Sequence, residues 1–360
     1  MSRRVTVIAE AGVNHNGRLD LALDLVDAAA AAGADYVKFQ TFDAAKLVTA
    51  AAPKADYQAR QTGAGESQRA MLERLQLSEA DHRALMERCT ARGIRFLSTP
   101  FDAGSLDLLA RTFALPVLKI GSGELTNGPF LLDLARTGRD LILSTGMGTL
   151  AEVEAALGVL AFGYLAPDDA RPGPTAFAAT LHDPAAWATL RERVTLLHCA
   201  SDYPAAPAAV NLKAMDTMAD AFGIPVGYSD HTLGSAVTLA AVARGAVMIE
   251  KHLTLDRTMD GPDHAASMEP AAFTAMVADI RAIGAALGTG IKQPAPSELS
   301  TRAVARKSLV AARPLKAGTV IGPGDIAVMR PGTGRSPMDY WSTIGRVLDR
   351  DLAEGEPLEP

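Results

Sequence analysis

The sequence predicts an α/β fold, a (β/α)₈ barrel, followed by a small all-β module, and three observations carry that prediction. Eight short apolar runs of β type alternate with helical segments over roughly 290 residues, the rhythm and length of such a barrel. Polar or charged residues stand at the ends of these runs, where a barrel of this class gathers its reactive groups. Beyond Gly288 the pattern changes to short β runs cut by Gly and Pro. A doubly wound sheet is the competing arrangement for the same alternation.

The first strand is read at residues 5–10 (VTVIAE), and the amphipathic stretch 18–33 that follows is a helix stopped by Gly33. Residues 35–40 (DYVKFQ) form the second strand. A long excursion comes next, with residues 61–68 (QTGAGESQ) as an exposed loop tip. Residues 78–92 are a helix with Ser78 as N-cap and Gly93 as its stop. Strands three to six are read at 94–99, 117–122, 140–145 and 194–199. The last two come from PVGY and AVMIE, which end in His231 and His252 and flank a helical stretch over 235–244. The final barrel helix spans 269–287, with Pro270 in its first turn and Gly288 after its end. Residues 1–288 are therefore the barrel and the Pro-rich 289–301 a linker. Residues 302–360 form a β module of about 55 residues, too small to be confidently stable alone.

Composition narrows the function. A formal net charge of −6 disfavours nucleic acid and anionic membranes as partners, so an anionic substrate needs locally placed basic groups. Two cysteines, Cys89 and Cys199, give no disulfide framework and suit a reducing cytoplasm. The start is too short for a signal h-region, and no apolar 18-mer follows.

Two histidines at the same end of adjacent parallel strands can converge on one ion, with Asp230 and Asp263 near them in sequence. Imidazoles among carboxylates suit a divalent first-row metal. Against this stands the plainer reading of two structural histidines. The other strand ends bring Glu10, Asn14 and His15; Lys38 and Gln40; Ser98 and Thr99; Lys119, Ser122 and Glu124; Ser144 and Thr145; Ser201, Asp202 and Tyr203; and Ser229. Each taken singly is a cap or a rim group. Lys38 and Lys119, however, lie within apolar strands, where an unpaired ammonium is costly. With hydroxyls and helix N-termini around them they suit a phosphorylated anion. Glu10 and Glu124 remain as acid/base candidates or sugar-hydroxyl acceptors.

The motifs IAEAGVNHNG, VKFQTF, STPFD, KIGSGE, STGM, LHCASDYPA, VGYSDHT, IEKHLTLD, GPDHAASMEP, ARKSLVAA and MRPGTGRSP run in one order from residue 8 to 337. Together they resemble the sialic acid (nonulosonic acid) synthase family. That resemblance implies a (β/α)₈ TIM barrel followed by an antifreeze-like (SAF, β-clip) domain. It implies condensation of phosphoenolpyruvate with an N-acylated mannose-type sugar, with C–O cleavage and phosphate release. The acceptor is N-acetylmannosamine or 2,4-diacetamido-2,4,6-trideoxy-mannose, with the altrose-type acceptor of pseudaminate synthesis as the alternative.

By the same resemblance, His231 and His252 hold a divalent metal, Mn²⁺ first, with Mg²⁺ or Co²⁺ as alternatives. Lys38, Thr99, Lys119, Ser122, Ser144, Ser201, Tyr203 and Ser229 contact phosphoenolpyruvate, although several relatives carry Asn at the position of Ser201. Glu10, Gln40, Glu124 and Asp263 contact the sugar, and Glu10, Glu124 and Lys119 are the catalytic candidates. Arg330 reaches the active site of the partner subunit in a domain-swapped homodimer. Two other readings compete. A lysine within a barrel strand is what a Schiff-base pyruvate aldolase or lyase needs. The tail alone would suit an ice-binding protein but leaves the barrel mouth unexplained.

Overall fold

The structure, a computed structural model, describes residues 4–50, 52–55, 59 and 65–359. It divides into two units, Met1–Thr289 and Gly290–Pro360. In the first, eight strands are joined in the order β3-β2-β1-β8-β7-β6-β5-β4, every pairing parallel. They are β1 (Thr6–Gly12), β2 (Tyr36–Thr41), β3 (Arg95–Pro100), β4 (Val117–Ile120), β5 (Asp140–Ser144), β6 (Val194–His198), β7 (Val226–Asp230) and β8 (Met248–His252). The two ends of the order, β3 and β4, lie against each other and close the ring.

Period-two alternation decides what each strand residue does. Ile8, Tyr36, Leu97, Ile142 and Leu197 form one buried cluster, with Val117 and Met248 packed on it; this plugs the barrel interior. The residues between them in sequence, such as Val7, Ala9, Val37, Phe39, Leu118 and Leu143, belong to the larger core shared with the helices. Gly227 is the inward residue of β7 at this level, where a Cβ would come within 2.4 Å of the Met248 carbonyl oxygen and 2.7 Å of Leu197. Two positions further along the inward rows the residues turn polar on every strand but β6, where Cys199 follows Leu197.

The helices follow their sequence signals. Glu79–Arg92 begins with a reciprocal capping box between Ser78 and Asp81 and ends at Gly93, whose φ of 68° is left-handed. Leu150–Leu165 begins with a second box, Thr149 with Glu152. The stretches read as 235–244 and 269–287 fold as Ala236–Ala243 and Pro270–Ala286, their outer residues serving as caps. The first strand runs past Glu10 to Gly12 because its register with β2 shifts between those residues. The fourth ends at Ile120, since Ser122–Glu124 turn into a 3₁₀ helix. Of the expected loop tip at 61–68, residues 61–64 lie outside the described residues; Ser67 caps a helix, Gln68–Leu75.

In the second unit, β9 (Ser308–Ala311) pairs antiparallel with β10 (Ile326–Met329). Isolated bridges join Val310 to Pro357, Leu315 to Leu352 and Val320 to Val347. Leu309, Leu315, Ile321, Ile326, Leu348, Leu352 and Leu358 make a small core of its own. The stretch read as a linker is partly helical: a turn at Pro296–Glu298 leads into Leu299–Ala305, with the Glu298 carboxylate accepting the Ala295 N–H.

Candidate active site

The alternation that packs the barrel floor places Glu10, Lys38, Thr99, Lys119, Ser144, Ser229 and Glu250 on the next inward level. All seven are buried. Lys38 Nζ lies 2.8 Å from Glu250 Oε2 and 3.3 Å from Glu10 Oε2. Lys119 Nζ donates to Ser144 Oγ at 2.6 Å and to the Ile120 carbonyl at 3.1 Å, and stands 3.9 Å from Glu250 Oε1. Ser229 Oγ donates to Glu250 Oε1 at 2.8 Å, and Gln40 Nε2 to Glu10 Oε1 at 3.1 Å. Two ammonium groups and two carboxylates thus share one dry space, which is tolerable only because they are paired.

The pairing sorts the protons. Burial pushes the Glu10 carboxyl up to about 7, against the pull of Lys38 and with the push of Glu250. Burial lowers the Lys119 ammonium to about 8, opposed by Glu250. Burial acts on Lys38 in the same sense, but Glu10 and Glu250 outweigh it and raise its titration. Burial also works against the Glu250 carboxylate, yet Lys119 and Lys38 hold it well below the usual range. Glu250 is thus the fixed anion and Lys38 the fixed cation, while Glu10 and Lys119 sit close to neutral pH.

Above this level the His231, His252 and Tyr203 rings converge. The two imidazole centroids are 5.4 Å apart, and the Tyr203 ring lies tilted at 4.2 Å from His231 and 5.5 Å from His252. His231 Nδ1 is 2.7 Å from the Ala200 carbonyl, which can only accept. That nitrogen therefore carries the proton, and Nε2, 3.4 Å from Ser229 Oγ, keeps its lone pair. Burial lowers the titration of both rings and keeps them neutral, the form that binds metal. His252 Nδ1 is buried without a hydrogen-bond partner, 3.8 Å from Asp263 Oδ2. Asp263 is itself pushed up to about 6 by burial. Among the described residues no three His, Cys, Asp or Glu side chains gather closely enough to hold an ion by themselves. An oriented imidazole and an orphaned ring nitrogen nevertheless fit a divalent ion that takes further oxygens from substrate and water.

The hydroxyls lie on the β4–β6 side. Gly146 N–H donates to Ser122 Oγ at 3.1 Å, and Ser122 Oγ is 3.2 Å from Cys199 Sγ. A Cβ at Gly146 would come within 2.3 Å of Ser201 Oγ, 2.8 Å of Ser122 Oγ and 2.9 Å of Cys199 Sγ. Only glycine lets these groups close around that backbone.

Several expected residues lie outside the lysine–carboxylate cluster. Glu124 accepts from Asn127 at 2.6 Å and pairs with neither lysine among the described residues. Arg330 lies in the second unit, where its Nε donates to the Ala305 carbonyl. Ser98 and Asp230 point away from the mouth, being one residue out of phase with the inward row: Ser98 bonds Thr41, and Asp230 pairs with Lys251. Asn14 ties the β1 and β8 loops together through Leu253 and Ser267, and His15 accepts from Gly17. The reading of strand ends missed Glu250. Its signal was present in EKH: period two puts Glu250 on the face of His252, one level deeper.

Residues 25–292 match the NeuB family and residues 306–360 the SAF domain. The N,N'-diacetyllegionaminic acid synthase of Campylobacter jejuni subsp. jejuni serotype O:2 is 43% identical over 354 residues, 98% of each chain. The synthase of the same name from Legionella pneumophila is 44% identical over 352 residues, 98% of this chain and 92% of its own. The crystal structure of N-acetylneuraminic acid (sialic acid) synthetase from Leptospira borgpetersenii superposes with a TM-score of 0.66 at 32% identity, covering 83% of this chain and 90% of that one.

Proposed function

The chain belongs to the NeuB family, and from that premise we propose that it is a nonulosonic acid synthase of the N,N'-diacetyllegionaminate type. It condenses phosphoenolpyruvate with an N-acylated mannose-type sugar, breaking the enol C–O bond and releasing phosphate. The observation that carries the reading is the buried level where Lys38 and Lys119 flank Glu250 beneath two neutral histidines. The names of the two synthases matched along nearly the whole chain favour 2,4-diacetamido-2,4,6-trideoxy-mannose over N-acetylmannosamine and over the altrose-type acceptor.

The residues suit the electron flow. The C2–C3 π pair of phosphoenolpyruvate attacks the open-chain aldehyde carbon, which leaves an alkoxide on the sugar and cationic character at C2. Glu10, whose carboxyl sits at about 7, supplies the proton the alkoxide needs. Water adds to C2 and gives one proton to the Glu10 carboxylate; the tetrahedral adduct then collapses to the ketone, its hydroxyl proton passing to the phosphate that leaves with the C2–O bond pair. Lys38 and Lys119 neutralise that departing charge, with Ser122, Ser144 and Ser201 as donors around it, Ser229 holding Glu250 beside the lysines, and Thr99 and Tyr203 completing the pocket. His231 and His252 would hold a divalent ion, Mn²⁺ in this reading with Mg²⁺ or Co²⁺ as alternatives, and such an ion would supply Lewis-acid polarisation of the aldehyde oxygen. Gln40, Glu124 and Asp263 take the sugar hydroxyls.

A Schiff-base aldolase is disfavoured. Lys38 is held charged between two carboxylates, and Lys119, charged below about 8, is tied to Ser144 and the Ile120 carbonyl, so neither presents a free amine at neutral pH. Arg330, beside the exposed Met329 and in the same module as the exposed Met338 and Trp341, suits a module that docks on a second copy in a swapped homodimer. No helix among the described residues is long and apolar enough to cross a membrane, and we place the enzyme in the cytoplasm. Phosphoenolpyruvate labelled with ¹⁸O at the bridging oxygen tests the bond cleavage. The label should appear in the released phosphate; label retained in the sugar acid would overturn the mechanism.

A further inference from the structure

The outward residues of β7 and β8 face a second feature that the reaction leaves unused. A cavity of about 160 Å³ lies behind these strands, lined among others by Thr232, Gly234, Lys251, Arg257 and Ala272. Lys251 is buried and donates to Asp230 Oδ2 at 2.9 Å and to the Thr232 carbonyl at 2.5 Å. An ammonium has three protons, so one remains to be placed. Thr232 is wholly buried, and its Oγ1 has no hydrogen-bond partner. A hydroxyl in that state is missing a ligand or water. Ala272 sits in the first turn of Pro270–Ala286, whose leading N–H groups have no intrahelical acceptor. A second helix, Ala236–Ala243, starts two residues beyond Gly234.

We propose that this cavity is an oxyanion site for inorganic phosphate, separate from the lysine level inside the barrel. The donors are the spare Lys251 proton, the Thr232 hydroxyl and the N–H groups of the 270–286 helix, whose dipole adds positive potential. Loops after strands seven and eight together with a helix N-terminus are where barrels often hold phosphate. The acid lining the cavity, Glu269, accepts the Arg257 N–H at Oε1, and Asp230, the partner of Lys251, is engaged also with Thr238 and Tyr228. The volume suits a single phosphoryl group rather than a phosphorylated sugar. Because Lys251 lies between Glu250 and His252 in sequence, phosphate here would bear on the strand that carries both.

Calorimetric titration of inorganic phosphate into the full-length chain tests the site. Wild type should bind two phosphates per chain, one here and, on the reading above, one at Lys38 and Lys119. Thr232→Val removes the hydroxyl at constant shape, and Ala272→Asp places a like charge on an exposed helix turn. Each should lose one phosphate, weakened about tenfold or more, while turnover at low phosphate stays near wild type. Lys119→Met should lose the other. Unchanged phosphate binding in both Thr232→Val and Ala272→Asp would overturn the outer site. Unchanged binding in Lys119→Met would instead count against the catalytic reading. Glucose 6-phosphate distinguishes the ligand sources: exclusion identifies the free ion, and binding lost in the same two variants identifies the phosphoryl group at large.

Discussion

Glu250→Gln is the substitution in which the geometry and the proposed chemistry meet. It keeps the side chain's shape and the acceptor for Ser229, removes the charge between the lysines and puts an amide NH2 in place of the oxygen that faces Lys38. At 3.9 Å, the Glu250–Lys119 attraction is about 4 kcal/mol gross at an effective dielectric of about 20. With about 1.4 kcal/mol per pH unit, its loss is enough to leave the Lys119 amine neutral at pH 7.5, since it already titrates at about 8. Lys38 keeps Glu10 at 3.3 Å and stays charged. The variant should therefore fold but lose one charge-assisted contact to phosphoenolpyruvate, about 1.5–3 kcal/mol, or roughly 10- to 150-fold in kcat/KM. Steady-state kinetics with each substrate varied in turn should show the loss mainly in the Michaelis constant for phosphoenolpyruvate, recovering as the pH is lowered. An unchanged constant for phosphoenolpyruvate, with an unchanged pH dependence, would refute the assigned role.

Four further outcomes follow, two at the barrel site and two in the tail. His231→Ala or His252→Ala should abolish turnover while leaving the melting temperature within a few degrees, and chelator should do the same to wild type; full activity after chelation would remove the metal from the account. Lys119 is charged below about 8 and neutral above it, so kcat/KM for phosphoenolpyruvate should fall as the pH rises through 8; a flat profile to pH 9.5 contradicts that assignment. Truncation before Leu299 should spare phosphoenolpyruvate binding but remove most sugar turnover. Mixing Arg330→Ala chains with His231→Ala chains should restore part of the activity, because one site of a swapped mixed dimer is intact. Mixed dimers that form and stay inactive show that each tail serves its own barrel.

The sequence made the barrel legible because each strand is a short apolar run with its own stop, and period-two alternation needs no tertiary knowledge. The histidine pair was legible for the same reason. Glu250 was not, because attention to strand ends stops one level above it; it becomes visible only when β8 is read inward from His252. The separation of Ser98 and Asp230 from the mouth is likewise a matter of phase, which a list of strand-end residues discards. The fixed charges of Lys38 and Glu250 are set by distances between β1, β2 and β8 that no single run contains. In the tail, the Pro-rich stretch hid a helix because Pro296 starts a turn as readily as it breaks one.

The claim that this barrel joins phosphoenolpyruvate to a diacetamido sugar is tested most directly by offering three acceptors side by side. These are N-acetylmannosamine, 2,4-diacetamido-2,4,6-trideoxy-mannose and the altrose-type isomer, each with Mn²⁺ and phosphoenolpyruvate, with released phosphate and the sugar acid measured together. One phosphate per sugar acid is expected, with the highest kcat/KM for the diacetamido-trideoxy-mannose. Preference for either other acceptor would contradict the assigned specificity, and no phosphate release with any of the three would contradict the synthase itself.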